Sequence, residues 1–419
     1  MQLVQRLSTC WRRFLILPVC VYFSVCGLSM AHAQLIPNDP HWQDQWYLRQ
    51  IGAPEAWAVS TGTRAVTVAV IDGGVDIGHP DLRENIWLNS HEQAGDGQDN
   101  DQNGFVDDLH GWNFVTNSPD VRPVFAPVQL EDAWSHGTMV ASLLGAKGND
   151  GIGMAGVAWN VRIMPLVVLD AEGSGTTDHI IQAIRYAVNM GAQVINLSLV
   201  GYDDDPALDE MIRRAADAGV VIVAATGNDE TLKEGRNLDQ KPGYPVCADQ
   251  GNDAVIGVGG TDALDQKAPF ANFGTRCTDL SAPGHSLLVA RPSYPHHEGP
   301  LARQVPNYRD GVIGTSLAAP LVSGVVALLK SVHRDWTPQQ IRARLYASSD
   351  PLDPTVAPGT KGVFGYGRLN VGRALTEPLP ALVVAATTPA SSFSKTLGVE
   401  RPRFVPIKKP LRPIRKKHR

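Results

Sequence analysis

Five short runs rich in valine and isoleucine alternate with helix-length stretches through the middle of this chain, and that alternation limits the folds open to it. The runs are Val66 to Ile71, Val161 to Leu169, Gln193 to Leu199, Val220 to Ala225 and Ala254 to Val258. They are apolar nearly throughout, as strands buried on both faces are. Helix-like stretches cover His136 to Ala146, Thr177 to Met190, Pro206 to Ala218, Ser316 to His333 and Pro338 to Ala347. Strands and helices in this alternation predict an α/β fold, a doubly wound, mostly parallel sheet with helices on both faces. Such sheets bind ligands at the carboxyl ends of their strands. No internal repeat is visible, so one α/β domain over 34–376 is expected. With 43% apolar residues the chain can fill a large core, which rules out wholesale disorder.

Charge divides the chain differently from hydrophobicity. The net charge of −5 argues against a nucleic-acid binder, and no specific nucleic acid is expected as a partner. That average conceals +3 over 1–33, −16 over 34–376 and +8 over 377–419. The first segment reads as a secretory signal: Arg12 and Arg13 precede an apolar run from Phe14 to Met30, and Ala31-His32-Ala33 is a small-x-small cleavage pattern. An uncleaved membrane anchor is the rival reading. Export, to the medium or the periplasm, is the expectation. Of the five cysteines, Cys10, Cys20 and Cys26 leave with that segment. The remaining pair, Cys247 and Cys277, suggests one disulfide, with two separate buried thiols as the alternative. The last 43 residues, Glu377 to Arg419, are rich in proline and end in Arg415-Lys416-Lys417-His418-Arg419. They read as a disordered tail, either docking to an anionic surface or polyanion or simply solvated.

Three polar residues stand at element boundaries. Asp72 follows the strand Val66 to Ile71 directly and precedes Gly73-Gly74, which permit a sharp turn. His136 opens an apolar helix, and Ser316 opens another. Pro320 is expected only near a helix's first turn, which puts that helix start close to Ser316. Serine needs an adjacent base to act as a nucleophile, and histidine needs a carboxylate to fix its tautomer. Any one of the three alone reads as a cap; together they point to nucleophilic catalysis.

These surroundings resemble the subtilase (subtilisin-like) serine peptidases. The resemblance rests on Val68-Ala69-Val70-Ile71-Asp72-Gly73-Gly74-Val75, on His136-Gly137-Thr138-Met139-Val140-Ala141 and on Gly314-Thr315-Ser316-Leu317-Ala318-Ala319-Pro320. It extends from about Asn38 to about Asn370. It implies a serine endopeptidase in which Asp72 orients, His136 acts as base and then acid, and Ser316 attacks. The matching stretch Ala224-Ala225-Thr226-Gly227-Asn228 implies Asn228 as an oxyanion donor. Protein or peptide substrates would lie as an added strand against Ser198, Leu199 and Val200 and against Ala225, Thr226 and Gly227. Val200 and Thr226 stand where the family has glycine and alanine, which narrows the expected primary pocket. Gly73 and Ser142 also depart from the family pattern without removing a reacting group. A binding scaffold that keeps the groove, or a surface-docked processing protein, are the competing functions.

An acidic loop lies between Asp72 and His136. Asp99, Asp101, Asn103, Gly104, the Phe105 carbonyl and Asp107 fall at the spacing of an EF-hand calcium loop. His110 stands in place of the closing glutamate, so either Asp108 completes the sphere or the site is weak. Structural Ca2+ is therefore the expected cofactor, with a solvated acidic turn as the plain alternative. The pair His296-His297 has no third ligand nearby in sequence and is not expected to bind metal. The body follows Ala33 closely, without the propeptide common in secreted subtilases. A basic tail lying against the acidic body is one expected restraint on such an enzyme.

Overall fold

A computed structural model of the chain describes residues 33–124, 131–229, 234–248, 254–293, 307–353 and 361–378. The expected signal segment up to His32, the His296-His297 pair and the expected tail from Leu379 onward lie outside the described residues.

Seven parallel strands form one sheet: β1 (Gly62–Asp72), β2 (Trp112–Asn113), β3 (Asn160–Val167), β4 (Val194–Leu197), β5 (Val221–Ala225), β6 (Val255–Thr261) and β7 (Leu280–Pro283). Their spatial order is β2-β3-β1-β4-β5-β6-β7. From β1 the chain crosses to the edge at β2, comes back inward to β3 beside β1, and then builds on the other side from β4 to β7. The carboxyl end of β1 is where this order reverses, the place where an open α/β sheet receives ligands. A separate antiparallel pair, β8 (Leu287–Ala290) and β9 (Tyr308–Val312), lies outside the main sheet.

The helices are α1 (Trp46–Gln50), α2 (Ala53–Trp57), α3 (Glu131–Trp134), α4 (His136–Gly145), α5 (Thr177–Asn189), α6 (Pro206–Asp217), α7 (Thr315–Val332), α8 (Pro338–Ser348) and α9 (Val371–Thr376). Alternate residues of β1 serve the two faces. Val66, Val68 and Val70 pack in one apolar cluster with α4 and α7, and Ala69 and Ile71 in another with α5 and α6. Helix α7 crosses β1, β4, β5, β6 and β7. It has the length and hydropathy of a membrane span, yet 83% of it is buried within the fold, so it is the core helix of this domain. Its sequence is apolar all round because protein, not water, surrounds it.

The five strand expectations and the five helix expectations each have their counterpart, with ends shifted by a few residues. The notable shift concerns Pro320, which lies in the second turn of α7 rather than the first. Cys247 and Cys277 form a disulfide, with Cα atoms 5.2 Å apart. At the other end, the described fold runs through Pro378. The Arg344 guanidinium, only 2% exposed, donates to the carbonyls of Ala374, Arg373, Glu377 and Pro378 at 2.7, 2.8, 2.7 and 3.1 Å. Arg344 thus holds the last described residues against α8 and α9.

Candidate active site

Asp72 ends β1 with none of its surface exposed. Its Oδ1 accepts the Gly73 N–H at 2.7 Å, and both of its oxygens face Nδ1 of His136, at 2.9 and 3.0 Å. Helix α4 can bring His136 this close because Gly137 follows it. A Cβ on Gly137 would stand 2.2 Å from the Gly74 carbonyl oxygen and 3.2 Å from the Asp72 Cβ. Nδ1–H donating to a carboxylate leaves Nε2 as the acceptor of the neutral ring. Burial would lower the imidazole pKa. The charge and hydrogen bond of Asp72 outweigh it, with help from the charge of Asp132, and hold the pKa above the ordinary value. Two ion pairs fix the short helix α3 ahead of His136: Arg291 with Glu131, and Arg309 with Asp132.

Ser316 is the second residue of α7, after Gly314 and Thr315. Pro320 has no N–H, so the Ser316 carbonyl lacks the donor four residues on that a helix normally supplies. Ser198 replaces it, donating Oγ–H to that carbonyl at 2.7 Å. Behind Ser198, Asn196 Nδ2 donates to its hydroxyl at 2.9 Å, and Ser323 Oγ donates to Asn196 Oδ1 at 2.8 Å. Asn196 and Ser323 are fully buried, so a polar chain within the core holds the turn that carries Ser316.

Asn228 follows β5 and is exposed. Its Oδ1 accepts from both the N–H and the hydroxyl of Thr315, each at 3.0 Å, which turns its Nδ2 outward. Gly314 marks where that nitrogen points. A Cβ placed there would lie 2.8 Å from Ser316 Oγ, 3.6 Å from Asn228 Nδ2 and 3.7 Å from Ser316 N. The Ser316 hydroxyl and two N–H groups thus lie within 3.7 Å of one point, the neighbourhood in which a tetrahedral oxyanion could be met by donors.

The remaining groove residues divide by exposure. Leu199 and Val200 are partly exposed, whereas Ser198, Ala225 and Thr226 are buried. Thr226 donates its N–H to the Val258 carbonyl at 3.0 Å, and its own carbonyl accepts from Asn272 Nδ2 at 3.0 Å. Its hydroxyl is buried without a partner. The side chains of Ser198 and Thr226 therefore lie within the fold, away from solvent. Gly227 gives its N–H to Thr315 Oγ1 at 3.0 Å, which ties the end of β5 to the start of α7.

The acidic loop closes differently from its spacing. Asp107 accepts from the N–H groups of Gly95 and Gly97, and Asp108 is fully buried against Tyr186, Asn103 and Asn89. Burial raises the Asp108 pKa against those three hydrogen bonds. The Phe105 ring packs edge-on against Trp112, Phe114 and Tyr186. Asn103 gives its amide to Asp101 and Asp108. The carboxylates that converge are Asp99, Asp101 and Glu92, whose oxygens lie within 4.8 Å of one another. Glu92 accepts from the N–H groups of Asn100, Asp101 and Asp107, so it clasps the loop from upstream. An EF-hand spacing looks only downstream of Asp99 and could not find it. A second acidic group was missed altogether. Burial pushes the pKa of Asp81 up to about 7, and one of its oxygens is buried without a partner. The neighbouring Asp39 is likewise raised by burial.

Comparisons with known proteins place the sequence among its relatives. Residues 63–367 match the model of the subtilase family. A thermophilic serine proteinase of Bacillus sp. (strain AK1) is 33% identical over 346 residues, 82% of this chain and 70% of that protein. Thermitase of Thermoactinomyces vulgaris is 31% identical over 340 residues, 81% of this chain and 99% of that one. A solved protease from Pseudoalteromonas arctica superposes with a TM-score of 0.62 at 27% identity, covering 81% of this chain and 99% of that structure.

Proposed function

The chain belongs to the subtilase family and is a serine-type endopeptidase, and we propose that it cleaves peptide bonds through Asp72, His136 and Ser316, with Asn228 as oxyanion donor. His136 Nε2 takes the proton of Ser316 Oγ as that oxygen bonds to the substrate carbonyl carbon. Asp72 holds the ring and stabilises the imidazolium that forms. The carbonyl oxygen, now an alkoxide, sits between Asn228 Nδ2 and the Ser316 N–H. His136 then protonates the leaving amine, giving an acyl-enzyme. Water, deprotonated by the same histidine, releases the acid and restores Ser316.

The convergence of Ser316 Oγ, Ser316 N and Asn228 Nδ2 on one point carries this reading. Asn228→Ala tests it: kcat falls about 100- to 1000-fold with KM little changed, a magnitude taken from a subtilisin rather than from this geometry. A fall of less than a few-fold contradicts the assignment of Asn228.

Calcium in this reading is structural. Glu92, Asp99 and Asp101 present three carboxylates whose mutual repulsion a hard cation relieves. The bound ion would contribute charge compensation and hold the loop; it takes no part in bond breaking.

The enzyme is exported in this reading, with cleavage after Ala33. Sequencing of the secreted protein should begin at Gln34, and a start at Met1 contradicts it. The basic tail docks to anionic surfaces. Removal of 379–419 then abolishes binding to anionic vesicles without loss of peptide hydrolysis, and binding that persists refutes the docking role.

A further inference from the structure

Val200 occupies space that a bound peptide would need. Two segments flank the nucleophile. Ser198 bonds the Ser316 carbonyl at 2.7 Å, and Gly227, the residue before Asn228, bonds Thr315 at 3.0 Å. A third segment joins them, because Gly201 and Tyr244 exchange backbone hydrogen bonds at 2.7 and 2.9 Å and bring Gly243 against Val200. A Cβ on Gly227 would meet Val200 Cγ1 at 2.7 Å, and a Cβ on Gly243 would meet Val200 Cγ2 at 2.9 Å. Leu238 Cδ2 lies 3.6 Å from the same position at Gly243. One branched side chain therefore fills the gap between two glycine backbones, one methyl against each wall.

A peptide reacting at Ser316 has its carbonyl carbon beside Oγ and its oxygen toward Asn228. The side chain of that same residue branches one bond away, where the segments carrying Gly227 and Val200 flank the nucleophile. We infer that Val200 sets the cleavage preference, admitting glycine, alanine and side chains of that size on the acyl side of the cut bond and refusing large aromatic ones. Gly227 and Gly243 would wall a deep slot if position 200 were glycine; with valine the slot is filled to its mouth. A pocket short by one or a few methylene volumes discriminates by about 10- to 200-fold. This inference rests on the Ser316 peptidase reading and narrows its substrate class.

The test uses three tetrapeptide p-nitroanilides that differ only in the last residue, alanine, leucine or phenylalanine, with the purified mature chain. The native enzyme should favour alanine over phenylalanine by about tenfold or more in kcat/KM. Val200→Gly should raise the phenylalanine rate until that preference is erased or reversed, with Val200→Ala intermediate. Native turnover of phenylalanine equal to that of alanine overturns the inference whatever the variants do. So does a ratio unchanged in Val200→Gly. If none of the three peptides is cleaved and a phosphonate fails to label Ser316, the peptidase reading falls and this inference falls with it.

Discussion

His136 sits between two opposed influences, burial that favours the neutral ring and Asp72 that favours the charged one, and Asp72 prevails. Catalysis needs the neutral ring, so kcat/KM should rise with pH through a midpoint above the ordinary imidazole value of about 6.5. The sign for stability is the reverse. A raised folded-state pKa stabilises fully below the unfolded value, and that contribution is lost as pH rises through the folded one. Asp72→Asn should move the activity midpoint downward and cut kcat by about a thousandfold or more. An unmoved midpoint would show that Asp72 does not tune the ring. Ser198 makes a second prediction at this scale. Its hydroxyl replaces the donor that Pro320 withholds, so Ser198→Ala leaves the Ser316 carbonyl and the Asn196 amide short of a partner. A loss of about 1.4 kcal/mol felt at the nucleophile appears as a fall of about tenfold in kcat, with KM moving less. A lowered Tm with kcat unchanged would make the contact merely structural. Asp72, His136 and Ser316 were legible because each lies at an element boundary in a recognisable motif. Asn196 and Ser323 were not, since a polar residue inside an apolar run gives no hint of which buried carbonyl it serves.

Among the elements, α4 and α7 carry the histidine and the serine, and both pack on the same face of β1. Ser142 links α4 to the hairpin beyond it. Its buried hydroxyl donates to the Met139 carbonyl at 2.7 Å and accepts the Ala290 N–H of β8 at 3.0 Å. The departure from the family's glycine at this position therefore has a structural use in this chain. Ser142→Ala orphans the Ala290 N–H at a cost of about 1–3 kcal/mol, which should lower Tm by several degrees in thermal denaturation. An unchanged Tm would mean that the Ser142 hydroxyl contributes nothing to holding β8. The buried strands and helices were readable from their apolar runs, whereas β2 has only two residues and β7, Leu280–Pro283, carries a serine and a proline that interrupt an apolar run. Glu92 escaped notice for another reason. It lies in an unremarkable turn, and only folding brings it onto Asp99 and Asp101.

For the whole molecule, the disulfide and the acidity of the body bear on stability. The disulfide closes a loop of 30 residues, worth about 3–4 kcal/mol by loop entropy. It ties the segment carrying Gly243 to the turn just ahead of β7, and so braces the wall against which Val200 packs. If calcium is held by Glu92, Asp99 and Asp101, a chelator should lower Tm, and Glu92→Gln should shrink the difference between chelated and calcium-loaded protein. Identical Tm with and without chelator would return the loop to a solvated acidic turn. The charge division between body and ends was plain in the sequence. What the ends do was not, because charge alone does not name the surface it meets. The central claim is that Ser316 is the nucleophile, and a fluorophosphonate applied to the purified mature chain tests it most directly. The account predicts one adduct, on the peptide containing Ser316, absent in Ser316→Ala; an adduct that persists in Ser316→Ala would contradict it.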